Sequence, residues 1–336
     1  EAGLRTLRRR DHHRVARESR SHQTVEERVG SACEAQVDHP RALGDGEVDR
    51  LGQGVGVADG GDRAGTLRPT GAQRPEVGLG RHALLWHELH RPRRVEEPLA
   101  LDGFESFEYS QYHPTAWHVA AGQKSHFFYG FTDSELRRKG TMTGGQRRKR
   151  ERLEAECGRP DPKSIEIEVA GLLRILAPDS QPLELHTDEH PAYPRALQRV
   201  PHLAINHRTI SSRAARTAQN PLFAINLLDL LIRHSGSNHK RETIAASKRR
   251  QCAAERMAIF LVWRNYMKWF SERKKETSPA MRLGITDHLL DADEVLDRRL
   301  FPTRVELPKR WEDYYWRRIV TRMIPNGARH QKRYAM

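Results

Sequence analysis

All nine Phe, eight Tyr and six Met of this 336-residue chain lie beyond residue 100, which limits where a hydrophobic core can form. The first 100 residues also lack Lys, Ile and Asn, and beyond Leu, Val, Ala and the single Trp86 they hold little apolar surface. Such a segment cannot bury enough to offset chain entropy. Residues 1–95 are therefore expected to be poorly ordered. They read either as a natural basic leader or, because the six missing residue types have AT-rich codons and the chain opens with Glu, as an out-of-frame translation of a GC-rich gene.

From residue 98 the pattern changes to short apolar runs bounded by turn residues. Leu99-Ala100-Leu101-Asp102-Gly103-Phe104 reads as a first strand, and residues 117–121 and 126–131 as two more, separated by Gly122-Gln123. The charged stretch 137–159 follows, with Gly144-Gly145 inside it, and reads as a flexible basic excursion facing DNA or without order. Ile165, Val169, Leu172, Leu173 and Leu176 then recur at helical spacing until Pro178. A fourth strand covers 183–187, a helix 190–200, and a fifth strand 203–205. Asn220-Pro221 starts a helix that should run to His234, and another long helix covers 245–270. Three strands, helix, strand, helix, strand, helix is the order of a ribonuclease-H-like α/β fold: a mixed sheet flanked by helices. The expected domains are the leader at 1–95, a catalytic domain at 96–275 and a helical C-terminal extension at 276–336.

That order places acidic and amide groups where a two-metal site needs them. Asp102 lies on the first strand, Asp188 at the end of the fourth, and Asn226 on the helix after the fifth. The first and fourth strands of this topology are neighbours, so the two carboxylates can meet. Clustered oxygens suit hard divalent cations that activate a water or a 3′-hydroxyl. The helix from Pro221 is apolar nearly all round, yet Asn226, Asp229 and Arg233 form one polar stripe at spacings of three and four. A buried carboxylate needs compensation, which a metal site beside Asp102 and Asp188 would supply. An ordinary solvated stripe is the alternative.

The segment from Asn226 through Asp229 to Arg233-His234, followed by Lys240-Arg241-Glu242-Thr243 and Ser247-Lys248-Arg249, resembles the last catalytic block of bacterial insertion-sequence DDE-type transposases. Leu101-Asp102-Gly103-Phe104-Glu105-Ser106-Phe107 resembles the block around their first aspartate, and Thr187-Asp188-Glu189-His190-Pro191-Ala192-Tyr193 the block around their second. The resemblance covers residues 98–270. It implies Mg²⁺ or Mn²⁺ held by Asp102, Asp188 and a third ligand, cleavage and strand transfer at element ends, double-stranded DNA as partner, and a homo-oligomer on that DNA. Where the family usually has Glu this chain has Asn226, so the third ligand is Asn226, the preferred reading, or Asp229 one turn later. Glu255 fits the spacing less well. A non-catalytic DNA-binding remnant and a nuclease of the same fold are the rival functions.

Residues 199–275 carry sixteen Lys or Arg against four Asp or Glu, a local +12 of the chain's net +14. Such an excess points to a polyanion, and nucleic acid fits better than membrane because no lipidation signal or long apolar span accompanies it. Arg233, His234, Lys240, Arg241, Lys248, Arg249 and Arg250 are the expected phosphate contacts. The run 258–263 is too short to cross a bilayer. Cys33, Cys157 and Cys252 stand alone, without a disulfide or zinc pattern, and His113, His118, His126, His186 and His190 lack metal-type spacing. With no secretory signal, the expected location is the bacterial cytoplasm, at the nucleoid.

Overall fold

A computed structural model describes residues 75–178, 181–239, 247 and 249–320. Helix α1 (Pro75–His90) precedes strands β1 (Leu99–Phe107), β2 (Pro114–Gly122) and β3 (Phe128–Glu135). Helices α2 (Gly144–Cys157) and α3 (Ser164–Leu176) lead to β4 (Leu183–Thr187), α4 (Ala192–Gln198) and β5 (Ile205–Thr209). Helices α5 (Phe223–Ser235) and α6 (Arg250–Val262), a π-type turn (Trp263–Met267), and short helices α7 (Pro279–Arg282), α8 (Ala292–Leu296) and α9 (Lys309–Tyr315) complete the order.

The five strands form one sheet in the order β3-β2-β1-β4-β5. Short turns join β1, β2 and β3 as antiparallel neighbours, whereas β4 pairs parallel to β1 and β5 parallel to β4. Parallel pairing demands a crossover; α3 provides the one into β4 and α4 the one into β5. Val169, Leu172, Leu173 and Leu176 of α3 are buried in the common core, and α5 lies over β1 and β2. This mixed sheet flanked by helices is the ribonuclease-H-like fold.

Three expectations shift. Helix α1 lies within the stretch read as lacking order, yet Leu84, Leu85 and Trp86 are buried, and His87 Nε2 reaches the Tyr129 carbonyl at 3.0 Å. Its few apolar groups suffice because the sheet supplies the opposing surface. Residues 144–157 form a helix rather than a loop: Thr143 and Gln146 build a capping box at its start, although none of its residues is buried. The fifth strand runs two residues later, where Asn206, His207 and Arg208 hide its alternation. The expected helical C-terminal extension packs into the main core, where Trp311 and Tyr314 of α9 are fully buried. Trp311 Nε1 donates to the Phe131 carbonyl at 3.0 Å, and its ring lies where a Cβ on Gly130 would stand 2.9 Å away.

Beneath α9 runs a buried ion network. Asp133 of β3 has no exposure. Arg310 pairs with it at 2.6 Å, Arg250 at 3.2 Å, and the Tyr314 hydroxyl donates to it at 2.5 Å. At the sheet edge, Asn265 accepts from the Phe128 N–H at 2.7 Å and donates to its carbonyl at 2.8 Å. That side chain takes the place of a missing strand partner and blocks further pairing of the edge there.

Candidate metal and nucleic-acid site

The β1–β4 register pairs Leu101 with Thr187, so Asp102 and Asp188 follow next on adjacent strands. The Gly103 N–H donates to Asp102 Oδ1 at 2.7 Å. Gly103 is required there: a Cβ would stand 2.6 Å from Nδ1 of His118, which is itself buried. Asp188 accepts from the His190 N–H at 2.9 Å, a local turn that orients the carboxylate at the strand end.

Helix α5 brings the third acid. Burial pushes the Asp229 carboxyl up to about 7, and the Asp102 charge adds to the rise while Arg233 opposes it. Asp102 itself is pushed up to about 6, mainly by burial, with Asp188 raising it and the Gly103 N–H, Tyr193 and Arg216 lowering it. Tyr193 of α4 is buried, and its phenol is raised well above the ordinary tyrosine value by burial and by Asp102, Asp188 and Asp229 together. One phenol thus feels all three carboxylates. Asp229 Oδ1 is buried without a hydrogen-bond partner, the condition the polar stripe implied. Asn226 lies half-buried on the same helix, one turn earlier.

Among the described residues, no group of three or more His, Cys, Asp or Glu is close enough as placed to hold a metal ion. The chemistry of the donors nevertheless fits a hard divalent cation. They are oxygen ligands, burial raises the carboxyls of Asp102 and Asp229 toward neutral pH, and one buried oxygen has no hydrogen-bond partner.

The expected phosphate contacts divide. His234 and Arg249 are exposed. Arg233 is half-buried, its guanidinium 5.3 Å from the Phe104 ring centre and its charge acting on Asp229. Arg250 requires correction: it is buried, pairs with Asp133 and with Glu135 at 3.0 Å, and donates to the Val320 carbonyl at 2.9 Å. Its place in an apolar helix turned it inward. Lys240, Arg241 and Lys248 lie outside the described residues. Glu255 accepts from Gln251 and pairs with Arg317 at 3.0 Å, which gives it a structural role. Two neighbours of the carboxylates had no role assigned from sequence, Tyr193 and Arg216. The only sequence signal for Tyr193 was its position five residues after Asp188, and for Arg216 the local basic excess.

No protein-family model matches the chain, and no curated protein matches it. Similar solved structures include the catalytic core domain of BIV integrase, at 15% identity and a TM-score of 0.32, over 56% of this chain and 93% of that one. A simian T-cell lymphotropic virus intasome in complex with a PP2A regulatory subunit is 17% identical, with a TM-score of 0.26, over 56% of this chain and 54% of that one. The HTLV-2 integrase catalytic core domain in complex with magnesium, in a dimeric form, is 13% identical with a TM-score of 0.24, over 55% and 95%. At these values the likeness adds nothing to the strand order, from which the fold follows. Among the described residues no helix is long and apolar enough to cross a membrane.

Proposed function

We propose that this chain is a metal-dependent polynucleotidyl transferase of the insertion-sequence type, which cuts DNA at element ends and joins them to target DNA. The observation that supports this reading is that the charges of Asp102, Asp188 and Asp229 all act on the Tyr193 phenol, with one Asp229 oxygen buried and without a hydrogen-bond partner. Asp102, Asp188 and Asp229 would hold Mg²⁺ or Mn²⁺, with the Asn226 amide as a neutral oxygen beside them. Bound there, the metal supplies Lewis-acid stabilisation of the phosphoryl oxygens and a more acidic water or 3′-hydroxyl. This order reverses the preference drawn from sequence, because the Asp102 charge acts on Asp229, whose buried oxygen has no hydrogen-bond partner.

The chain's own groups do the positioning. Tyr193 steadies the Asp102 carboxylate, which keeps its oxygens directed at one point. Arg233 balances Asp229 from above the Phe104 ring. Arg216 draws a phosphate toward the carboxylates, and exposed His234 and Arg249 hold the backbone on either side. Two element ends must be brought together, so the working form is a homo-oligomer on double-stranded DNA, acting at the bacterial nucleoid.

A remnant that binds DNA without cutting is the second reading, favoured by the lack of a ready-made ligand cluster among the described residues. The test is Mg²⁺-dependent nicking and strand transfer by the full chain on a labelled duplex carrying the element's ends, with Asp188→Ala as control. Joined product that vanishes in the control supports the transferase. Binding without any cut makes the chain a remnant, and cutting without joining makes it a nuclease.

A further inference from the structure

Between β3 and α3 the chain leaves the fold to build α2, and nothing in the packing explains that helix. No residue of it is buried. A helix polar all round gains no stability from a core, so it must be held by side-chain pairs or serve a partner. Two i,i+4 pairs, Arg150–Glu154 at 3.4 Å and Arg152–Glu156 at 3.8 Å, support its second half, but the charges of its first half work against the helix dipole. Arg147, Arg148, Lys149 and Arg150 crowd the first two turns, where the helix dipole is already positive, and Glu151, Glu154 and Glu156 occupy the end where acids help least. Residues 137–152 hold eight Lys or Arg and one Glu.

The helix is nevertheless fixed in place. Arg137 grips Glu154 through two hydrogen bonds of 2.8 and 2.9 Å. Tyr112, in the β1–β2 turn, has the Arg138 guanidinium 4.4 Å and the Lys149 ammonium 4.9 Å from its ring centre. Arg147, Arg148 and Lys139 are exposed and have no acidic partner among the described residues. The sheet determines where this arm stands. Strand β2 runs antiparallel to both β1 and β3, and β4 runs parallel to β1. The ends of β1, β3 and β4 therefore share one edge of the sheet. Asp188 follows β4 at that edge, and so do the Tyr112 turn after β1 and the arm after β3.

We infer that α2 and the Tyr112 turn form a clamp for the phosphate backbone of duplex DNA at the carboxylate end of the sheet, with Arg147, Arg148 and Lys149 as its contacts. The choice of DNA rests on the function proposed above; the existence of the clamp rests on the arm itself. Cations fixed on a rigid helix outside the core suit a regular polyanion, and backbone contacts carry no base sequence.

The experiment measures binding of the full chain to a fluorescein-labelled 30-base-pair duplex of arbitrary sequence across a salt series. The triple variant Arg147→Ser, Arg148→Ser, Lys149→Ser should bind about tenfold or more weakly at 0.1 M salt, with a log–log salt slope shallower by about 2 to 3. The pair Glu151→Gln, Glu156→Gln on the same helix should bind more tightly. Unchanged affinity and slope in the triple variant would overturn the clamp, as would an equal loss on single-stranded RNA of the same length. Mg²⁺-dependent nicking at saturating duplex separates the two claims. A wild type that never nicks, with binding still lost in the triple variant, removes the transferase and keeps the clamp. Nicking that persists while the triple variant binds normally does the reverse.

Discussion

Replacing Asp229 with Asn should make the metal-free protein more stable while removing its response to metal. Burial and the neighbouring Asp102 raise the Asp229 carboxyl from 3.8 to about 7, so the folded state binds this proton more tightly than the unfolded chain does. The sign follows directly. The stabilising contribution is complete below about pH 4 and is lost as pH rises through 7, so above neutrality the native protein carries a buried charge that it disfavours. At about 1.4 kcal/mol per pH unit the full cost is on the order of 4 kcal/mol. An Asn amide keeps the shape without the charge but remains a buried polar group, so about half of that, roughly 2 kcal/mol, is the expected gain. For a folded unit of this size it corresponds to a rise in Tm of about 4 to 8 °C. The assay is thermal unfolding in EDTA at pH 8 and at pH 5, repeated with Mg²⁺. Wild type should gain Tm with Mg²⁺ at pH 8, and Asp229→Asn should gain little; at pH 5 the advantage of the variant should shrink. A variant less stable than wild type at pH 8 in EDTA, or an advantage as large at pH 5, would show that Asp229 does not carry a buried charge beside Asp102.

Three further outcomes follow from the same structure. Trp311→Ala should lower unfolding free energy by about 3 to 5 kcal/mol in a denaturant titration, because the ring fills the core over Gly130; a change under 1 kcal/mol would show that α9 does not pack in the core. Arg250→Met should cost about 3 to 5 kcal/mol by leaving Asp133 with fewer partners, whereas Arg249→Ser should leave stability unchanged and weaken duplex binding. Tyr193→Phe should slow Mg²⁺-dependent cutting about tenfold and spare duplex affinity; equal activity would deny the phenol a positioning role.

What could be read from sequence was whatever local periodicity encodes. Leu183 to Thr187 alternates and is a strand over the same residues. The three-and-four spacing of Ile165 to Leu176 is a helix because its apolar stripe faces the sheet. Hidden from that reading were features decided by distant partners. Helix α1 has too few apolar groups to look like core until the sheet is present to receive Trp86. Trp311 and Arg250 became interior only because Phe131 and Asp133, more than a hundred residues away, wait for them. Helix α2 was invisible for the opposite reason, since it buries nothing and its capping box is the one local signal of its start.

The polar stripe of α5 shows how the two kinds of information combine. Periodicity alone says that Asn226, Asp229 and Arg233 share a face, but it cannot rank them. Ranking needs the electrostatics of the folded chain. Asn226 is half-buried and carries no charge, so its presence says less about what lies opposite than a buried carboxylate does. A carboxylate raised to about 7 with one oxygen lacking a hydrogen-bond partner is expensive to keep ionised, and a bound cation would offset that cost. Arg233 meets part of it from one turn away, yet burial and Asp102 still dominate. The proposal that Asp229 is the third ligand is therefore open to test by the pH and metal dependence of the Asp229→Asn melt, without any need to observe catalysis.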